Sequence, residues 1–298
     1  MDQVTRSQHI VPKFYLKCFS ENNKVWALDK TDGHSFNPNI DAICVENNYY
    51  EMTDFDGNHI FENAIENIFQ KQENRWSILL QKIIRICDAA ESGHSFIATT
   101  AEKSMLLDMA INILMRNPVS LRSVSSVLEN EGVYDFIDNQ LKASDLDLQS
   151  DQLYNFHESF NRHLLYYDER AVKERKDHYR KYYFYVGFAA GRLITASMPV
   201  YLSKKSDGDK LILPITPDYA LIWSENKLGK RANVLLPMSD EIVDDIYRCY
   251  FEKSVEACRF IIADKKEKLM RSLRGFYGNS YISTASGRTS DNLCIRRF

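Results

Sequence analysis

The sequence predicts an α+β fold with a small N-terminal β unit, a helical middle, and a C-terminal, mostly antiparallel sheet accompanied by a helix. Three observations carry this. Residues 24–51 form short runs broken by turn dipeptides. From Ile60 apolar residues recur at helical spacing, and beyond Lys181 short runs of β-branched and aromatic residues alternate with Gly, Pro and Asp.

In the N-terminal unit, Lys24 to Leu28 alternates weakly, Asp32-Gly33 is a hairpin-turn dipeptide, and Asn37-Pro38-Asn39 breaks the chain again. The helical part covers 60–180. Phe61, Ala64, Ile65, Ile68 and Phe69 begin an apolar stripe that Trp76, Leu79, Leu80, Ile83 and Ile84 carry towards Cys87, which predicts one long helix or two. Thr99 or Thr100 caps the next helix, with Glu102 in its first turn and Met105, Leu106, Met109, Ile113 and Leu114 as its apolar face. That helix should stop near Asn117-Pro118. Residues 118–140 and 150–180 continue in helical style. The β-rich part covers 181–262 and holds four or five strands, a helix capped by Ser239 and running towards Ala257, and a last strand at Arg259 to Ile262. One domain over 1–277 followed by a mobile Gly- and Ser-rich tail over 278–298 is the expected organisation.

At 298 residues, 44% hydrophobic and 27% charged, the chain is long enough and apolar enough to bury a core, which excludes disordered, collagen-like and disulfide-scaffold classes. A net charge of −3 removes any global attraction to phosphate backbones. No apolar stretch follows a basic start, and none approaches about 18 residues, so neither a secretion leader nor a membrane span is expected. The six cysteines form no Cys-x-x-Cys pair and no zinc-spaced cluster, a pattern that fits reduced thiols in a cytoplasmic protein.

The most distinctive stretch is Gln8-His9-Ile10-Val11-Pro12-Lys13-Phe14-Tyr15-Leu16-Lys17-Cys18-Phe19. It resembles the opening pattern of the DUF4238 family, Gln-His-x-Val-Pro-x-x-Tyr-Leu-x-x-Phe. Asn48-Tyr49-Tyr50 followed by Glu62 and Glu66 resembles the family's aromatic segment and paired-glutamate helix. Arg116-Asn117-Pro118 with Arg122 resembles its Arg-Thr-Pro-x-x-Arg element, and Leu193 to Pro199 with Leu213-Pro214-Ile215-Thr216-Pro217 resembles its two late Pro-containing elements. The sequence departs from the pattern at Ser197, where the family tends to carry Asp. The resemblance implies an uncharacterised bacterial protein and, by association, a place in defence or toxicity, but no transferable reaction.

His9 can act as general acid, general base or metal ligand near neutral pH, or its ring can pin the N-terminal segment to backbone. Glu62 and Glu66 are four apart and project from one helix face. There they can share a cation, or pair with Arg116 and Arg122. The two arginines, with Gln8 beside His9, are candidate anion- or ligand-binding residues. Two basic runs, Lys173 to Lys181 and Lys265 to Arg274, read as solvated helix faces or, beside aromatics, as a hold for single-stranded nucleic acid.

Two functions follow as expectations. The first is a metal-assisted phosphodiesterase or nuclease-type effector in bacterial defence or toxicity. It would use His9 and Glu66 catalytically, hold a divalent metal on His9, Glu62 and Glu66, and act on nucleic acid or a phosphorylated ligand. The alternative is a non-enzymatic sensor or protein-interaction module whose polar cluster is structural.

Overall fold

A sheet buried on both faces lies at the centre of the computed structural model, which describes residues 6–54, 58–60, 63–90, 97–120, 169–204, 208–226 and 233–277. This central sheet has five strands in the order β12-β7-β11-β10-β9. They are β7 (Tyr183–Phe188), β9 (Tyr201–Ser203), β10 (Lys210–Pro214), β11 (Tyr219–Ser224) and β12 (Leu235–Pro237). All pairings are antiparallel except β12 on β7, which is parallel.

Alternate residues of each strand point to opposite faces, so the apolar runs of β10 and β11 can be buried throughout only if both faces are covered. Leu211, Leu213, Leu221 and Trp223 join the cluster that contains α2 (Ala64–Ala89) and α3 (Thr100–Met115). Their neighbours Ile212, Ala220 and Ile222 join a second cluster with α5 (Asp240–Glu252) and α6 (Lys266–Tyr277). Gly187 lets β7 fit beneath the following segment, because a Cβ there would stand 2.5 Å from Met238 Cγ.

The expected N-terminal β unit is real but not separate. β2 (Trp26–Asp29) forms the predicted hairpin with β3 (Ser35–Phe36) through a turn in which Gly33 has φ +74°. β2 also pairs along its other edge with β13 (Phe260–Ala263), which in turn pairs with β8 (Thr195–Ala196). Two shorter pairings complete the set: β1 (Ser7–His9) with β4 (Val45–Asn47), and β5 (Met52–Thr53) with β6 (His59–Ile60).

α2 is one helix of 26 residues, and it buries the expected stripe of Ile65, Phe69, Trp76, Leu79, Leu80, Ile83 and Cys87. α3 begins with a capping box in which the Thr99 side chain accepts from the Glu102 N–H and the Glu102 carboxylate accepts from the Thr99 N–H. α4 (Glu169–Tyr179) carries the first basic run as far as His178, and Arg180 and Lys181 lie in the turn after it. α5 starts on Ser239 as expected but ends at Glu252, since Lys253 turns to φ −59°, ψ 148°. The second basic run lies on α6, a helix anchored by buried Leu269 and Leu273. The helices expected between 121 and 168 and the tail over 278–298 lie outside the described residues. Cys18, Cys44, Cys87, Cys249 and Cys258 are free thiols. Among the described residues no helix is long and apolar enough to cross a membrane.

The opening motif contributes first to packing. Pro12 opens the short helix α1 (Lys13–Lys17), and Tyr15, Leu16 and Phe19 are completely buried. The Tyr15 hydroxyl lies 2.6 Å from Thr195 Oγ1 in β8 and donates to the Pro214 carbonyl at the end of β10, also at 2.6 Å. Nearby, the Tyr250 hydroxyl of α5 donates to the Pro199 carbonyl at 2.6 Å. One tyrosine of the N-terminal motif therefore ties α1 to both sheets.

Tyr15→Phe keeps the ring and strands these partners, so it should cost roughly 1–3 kcal/mol of stability. Thermal or denaturant unfolding of the variant against the parent chain checks this, and an unchanged midpoint would remove the clasp.

Candidate functional site

The polar residues of the motif meet where β1, the turn after β4 and the two long helices converge. Gln8 is completely buried in β1, which forces its amide to find partners inside the protein. Its Nε2 donates to Glu51 Oε1 at 2.6 Å and its Oε1 accepts from the Tyr50 N–H at 2.7 Å. The Glu51 carboxylate also accepts from the N–H of Asn63, the residue that begins α2. The Tyr50 hydroxyl donates to the His9 carbonyl at 2.9 Å. Its ring meets Phe69 of α2 edge-on, with centroids 5.0 Å apart.

Phe69 carries the network to Arg116, which closes α3 with only 1% of its side chain exposed. A guanidinium so deeply buried needs a counter-charge and hydrogen-bond acceptors. Nη1 donates to Glu73 Oε1 at 2.6 Å, Nε donates to Asn112 Oδ1 at 2.8 Å, and the guanidinium carbon sits 3.7 Å from the centroid of the Phe69 ring. The Tyr49 hydroxyl donates to the Arg116 carbonyl at 3.0 Å. The arginine thus joins α3 to α2 and to the aromatic pair after β4.

The electrostatics follow from burial. His9 Nε2 lies 3.1 Å from the Ile40 carbonyl, and since a carbonyl can only accept, Nε2 carries the proton. Burial holds the imidazole below its ordinary pKa, against the opposing pull of the Ile40 hydrogen bond and of the charges on Glu73 and Asp41. Burial raises the Glu66 carboxyl. The positive charge of Arg116 opposes the shift, while Glu73 and Glu51 add to it.

The structure therefore brings Gln8, His9, Glu66 and Arg116 into one electrostatic neighbourhood. Glu62 and Arg122 lie outside the described residues. The ion-pair partner of Arg116 is Glu73, which sequence reasoning did not single out, nor did it single out Glu51 or Asn112, and it placed Phe69 only in the apolar stripe. Two signals were available: Glu73 lies seven residues beyond Glu66, two helical turns on, and Asn112 precedes Arg116 by four. Among the described residues no group of three or more His, Cys, Asp or Glu side chains could hold a metal ion.

Ser197 stands apart from this cluster. Its hydroxyl accepts from the Phe260 N–H at 3.0 Å and its own N–H donates to the Phe260 carbonyl at 2.8 Å, which fixes the start of β13. An aspartate side chain can accept from a backbone N–H in the same way. Asn117 serves the same region, with Nδ2 donating to the Ala257 carbonyl at 2.6 Å.

Among protein-family models, the one described as "Protein of unknown function (DUF4238)" matches residues 7–267. No curated protein and no solved structure matches the chain.

Two predictions follow from the cluster. Arg116→Met leaves Glu73 without its buried partner and should cost about 3 kcal/mol, read as a fall in the denaturant midpoint. The pH dependence has two opposite parts. A lowered His9 pKa favours the neutral ring in the fold, so its contribution is present above the ordinary imidazole range and is lost as pH falls through the folded value. A raised Glu66 pKa favours the protonated acid, so its contribution is present below the ordinary carboxyl range and is lost as pH rises through the folded value. Glu66→Gln should therefore raise the melting temperature near neutral pH and lose that advantage on acidification. Melting curves across the pH range check the sign.

Proposed function

The chain belongs to the DUF4238 family, and on that premise we propose that it is a non-enzymatic protein of the sensor or interaction type, whose motif residues form a structural lock. The observation that supports this reading is that the polar groups of the motif are held by neighbours within the fold. The Gln8 amide is held by Glu51 and Tyr50, the His9 Nε2–H by Ile40, and the Arg116 guanidinium by Glu73 and Asn112. Groups that spend their hydrogen bonds on one another serve stability first. The free thiols suit a reducing, cytoplasmic setting.

One observation favours a second reading, a metal-assisted phosphodiester-cleaving effector in bacterial defence or toxicity, acting on nucleic acid or a phosphorylated ligand. Glu73 acts electrostatically on both His9 and Glu66, so an acid with a raised pKa and a base with a lowered one lie near a buried arginine. In this reading His9 and Glu66 exchange the proton, Arg116 faces the phosphate, and Glu62 completes the metal set with His9 and Glu66.

The two readings part in one experiment. The full chain is incubated with single-stranded RNA and DNA in magnesium or manganese, alongside Gln8→Met and Glu66→Gln. The lock predicts intact substrates and a loss of roughly 1–3 kcal/mol in Gln8→Met, where the Tyr50 N–H loses its acceptor. Metal-dependent cleavage that Glu66→Gln abolishes while remaining folded would overturn the lock and establish the enzyme.

A further inference from the structure

On the other side of Asn112 and Phe69 lies a cavity of about 750 Å³ between α2, α3 and α4. Its size falls in the range of sites that take small organic ligands, roughly 300–1,000 Å³. The wall has three chemically distinct parts. Ile68, Phe69, Trp76 and Met105 give it apolar and aromatic surface. Gln72, Ser104 and Asn112 add neutral hydrogen-bonding groups, with Asn112 Nδ2 donating to Gln72 Oε1 at 3.5 Å. Charged side chains complete it: Arg75 from α2, Lys173 and Lys176 from α4, and Arg180 from the turn after it, against only Asp108 and Asp177.

The ion pairs leave a net positive charge. Lys176 pairs with Asp108, and Arg180 pairs with Asp177 at 3.1 Å. Arg75 and Lys173 have no ion-pair partner among the described residues, so two exposed cations face a cavity whose carboxylates are already taken. These cations, beside an apolar wall and a pair of amides, match a ligand that is anionic at one end and apolar with hydrogen-bonding groups at the other.

We infer that this cavity binds a nucleotide-sized organic phosphate, with the phosphate held by Arg75 and Lys173 and the organic part seated against the apolar wall of Ile68 and Met105. The site goes beyond the reading of the motif as a lock and does not depend on it, because none of the cavity's charged residues belongs to the lock.

Titration of the full chain with ADP and UDP, followed by Trp fluorescence and calorimetry, tests the site, with inorganic phosphate and adenosine as partial probes. At least one nucleotide should bind saturably at a single site and more tightly than either partial probe. The double variant Arg75→Ala/Lys173→Ala should weaken binding about tenfold or more, equivalent to ~1.4 kcal/mol, with the melting temperature unchanged because both side chains are exposed and have no ion-pair partner among the described residues. Ser104→Phe, which pushes a ring into the cavity and leaves every charge in place, should weaken binding. The inference is overturned if neither nucleotide binds at millimolar concentration, if the double variant binds as the parent does, or if phosphate alone binds as tightly as the nucleotide. Cleavage of the bound nucleotide would uphold the site and overturn the non-enzymatic reading, whereas failure to bind would remove the site and leave the lock standing.

Discussion

A guanidinium removed from water governs the arrangement around it. Arg116 is 1% exposed at the point where α3 ends, and an ion at that depth is tolerable only with a counter-charge and matched acceptors. Glu73 must therefore face it from α2, Asn112 must lie one turn back along α3, and the Phe69 ring must lie under its plane. Each requirement constrains a backbone as well as a side chain. Together they set how α2 and α3 sit against each other, and through the Tyr49 hydrogen bond to the Arg116 carbonyl they place the turn after β4.

The N-terminal motif divides its work along the same lines. Tyr15, Leu16 and Phe19 are the apolar half, buried against the sheets, and Tyr15 reaches β8 and β10 through its hydroxyl. Gln8 and His9 are the polar half, and their partners come from segments more than thirty residues away. A Gln-His pair followed by Pro-x-x-Tyr-Leu therefore has a physical reason in this chain without any reaction: one strand and one short helix must hold elements from across the sequence in place. Residue types that suggest acid–base chemistry also make the strongest buried hydrogen bonds, which is why type alone does not separate the two roles.

What was legible in the sequence was local. The helical stripe from Ile65 to Cys87, the helix start at Thr99 or Thr100 with Glu102 in its first turn, the Asp32-Gly33 hairpin and the Ser239 cap each depend on residues within a few positions of one another; the stripe forms as one helix and Thr99 is the cap. Long-range pairing was not legible. Nothing in Trp26 to Asp29 announces that its second edge belongs to Phe260 to Ala263, and nothing in the basic run after Lys265 shows that Leu269 and Leu273 have a buried surface to meet. In the candidate site, Gln8, His9, Glu66 and Arg116 were found by their resemblance to a pattern. Glu51 and Glu73 were missed because a glutamate on a charged helix or in a turn looks solvated until its partner's burial is known.

The lock and the cavity share two residues, and this makes the lock more than a fastening. Phe69 lies under Arg116 and also lines the cavity. Asn112 accepts from Arg116 through Oδ1 and turns its Nδ2 to Gln72 on the cavity wall. The amide of Asn112 therefore cannot rotate to suit a ligand without giving up its bond to a buried charge, and Phe69 cannot tilt without uncovering the same charge. The wall is held in one arrangement before anything meets it, and a site whose groups are already ordered loses less freedom on binding. The arginine at the end of α3 is thus buried for a reason that concerns both sides of the helix pair, since it fixes the joint on one side and the shape of the cavity on the other.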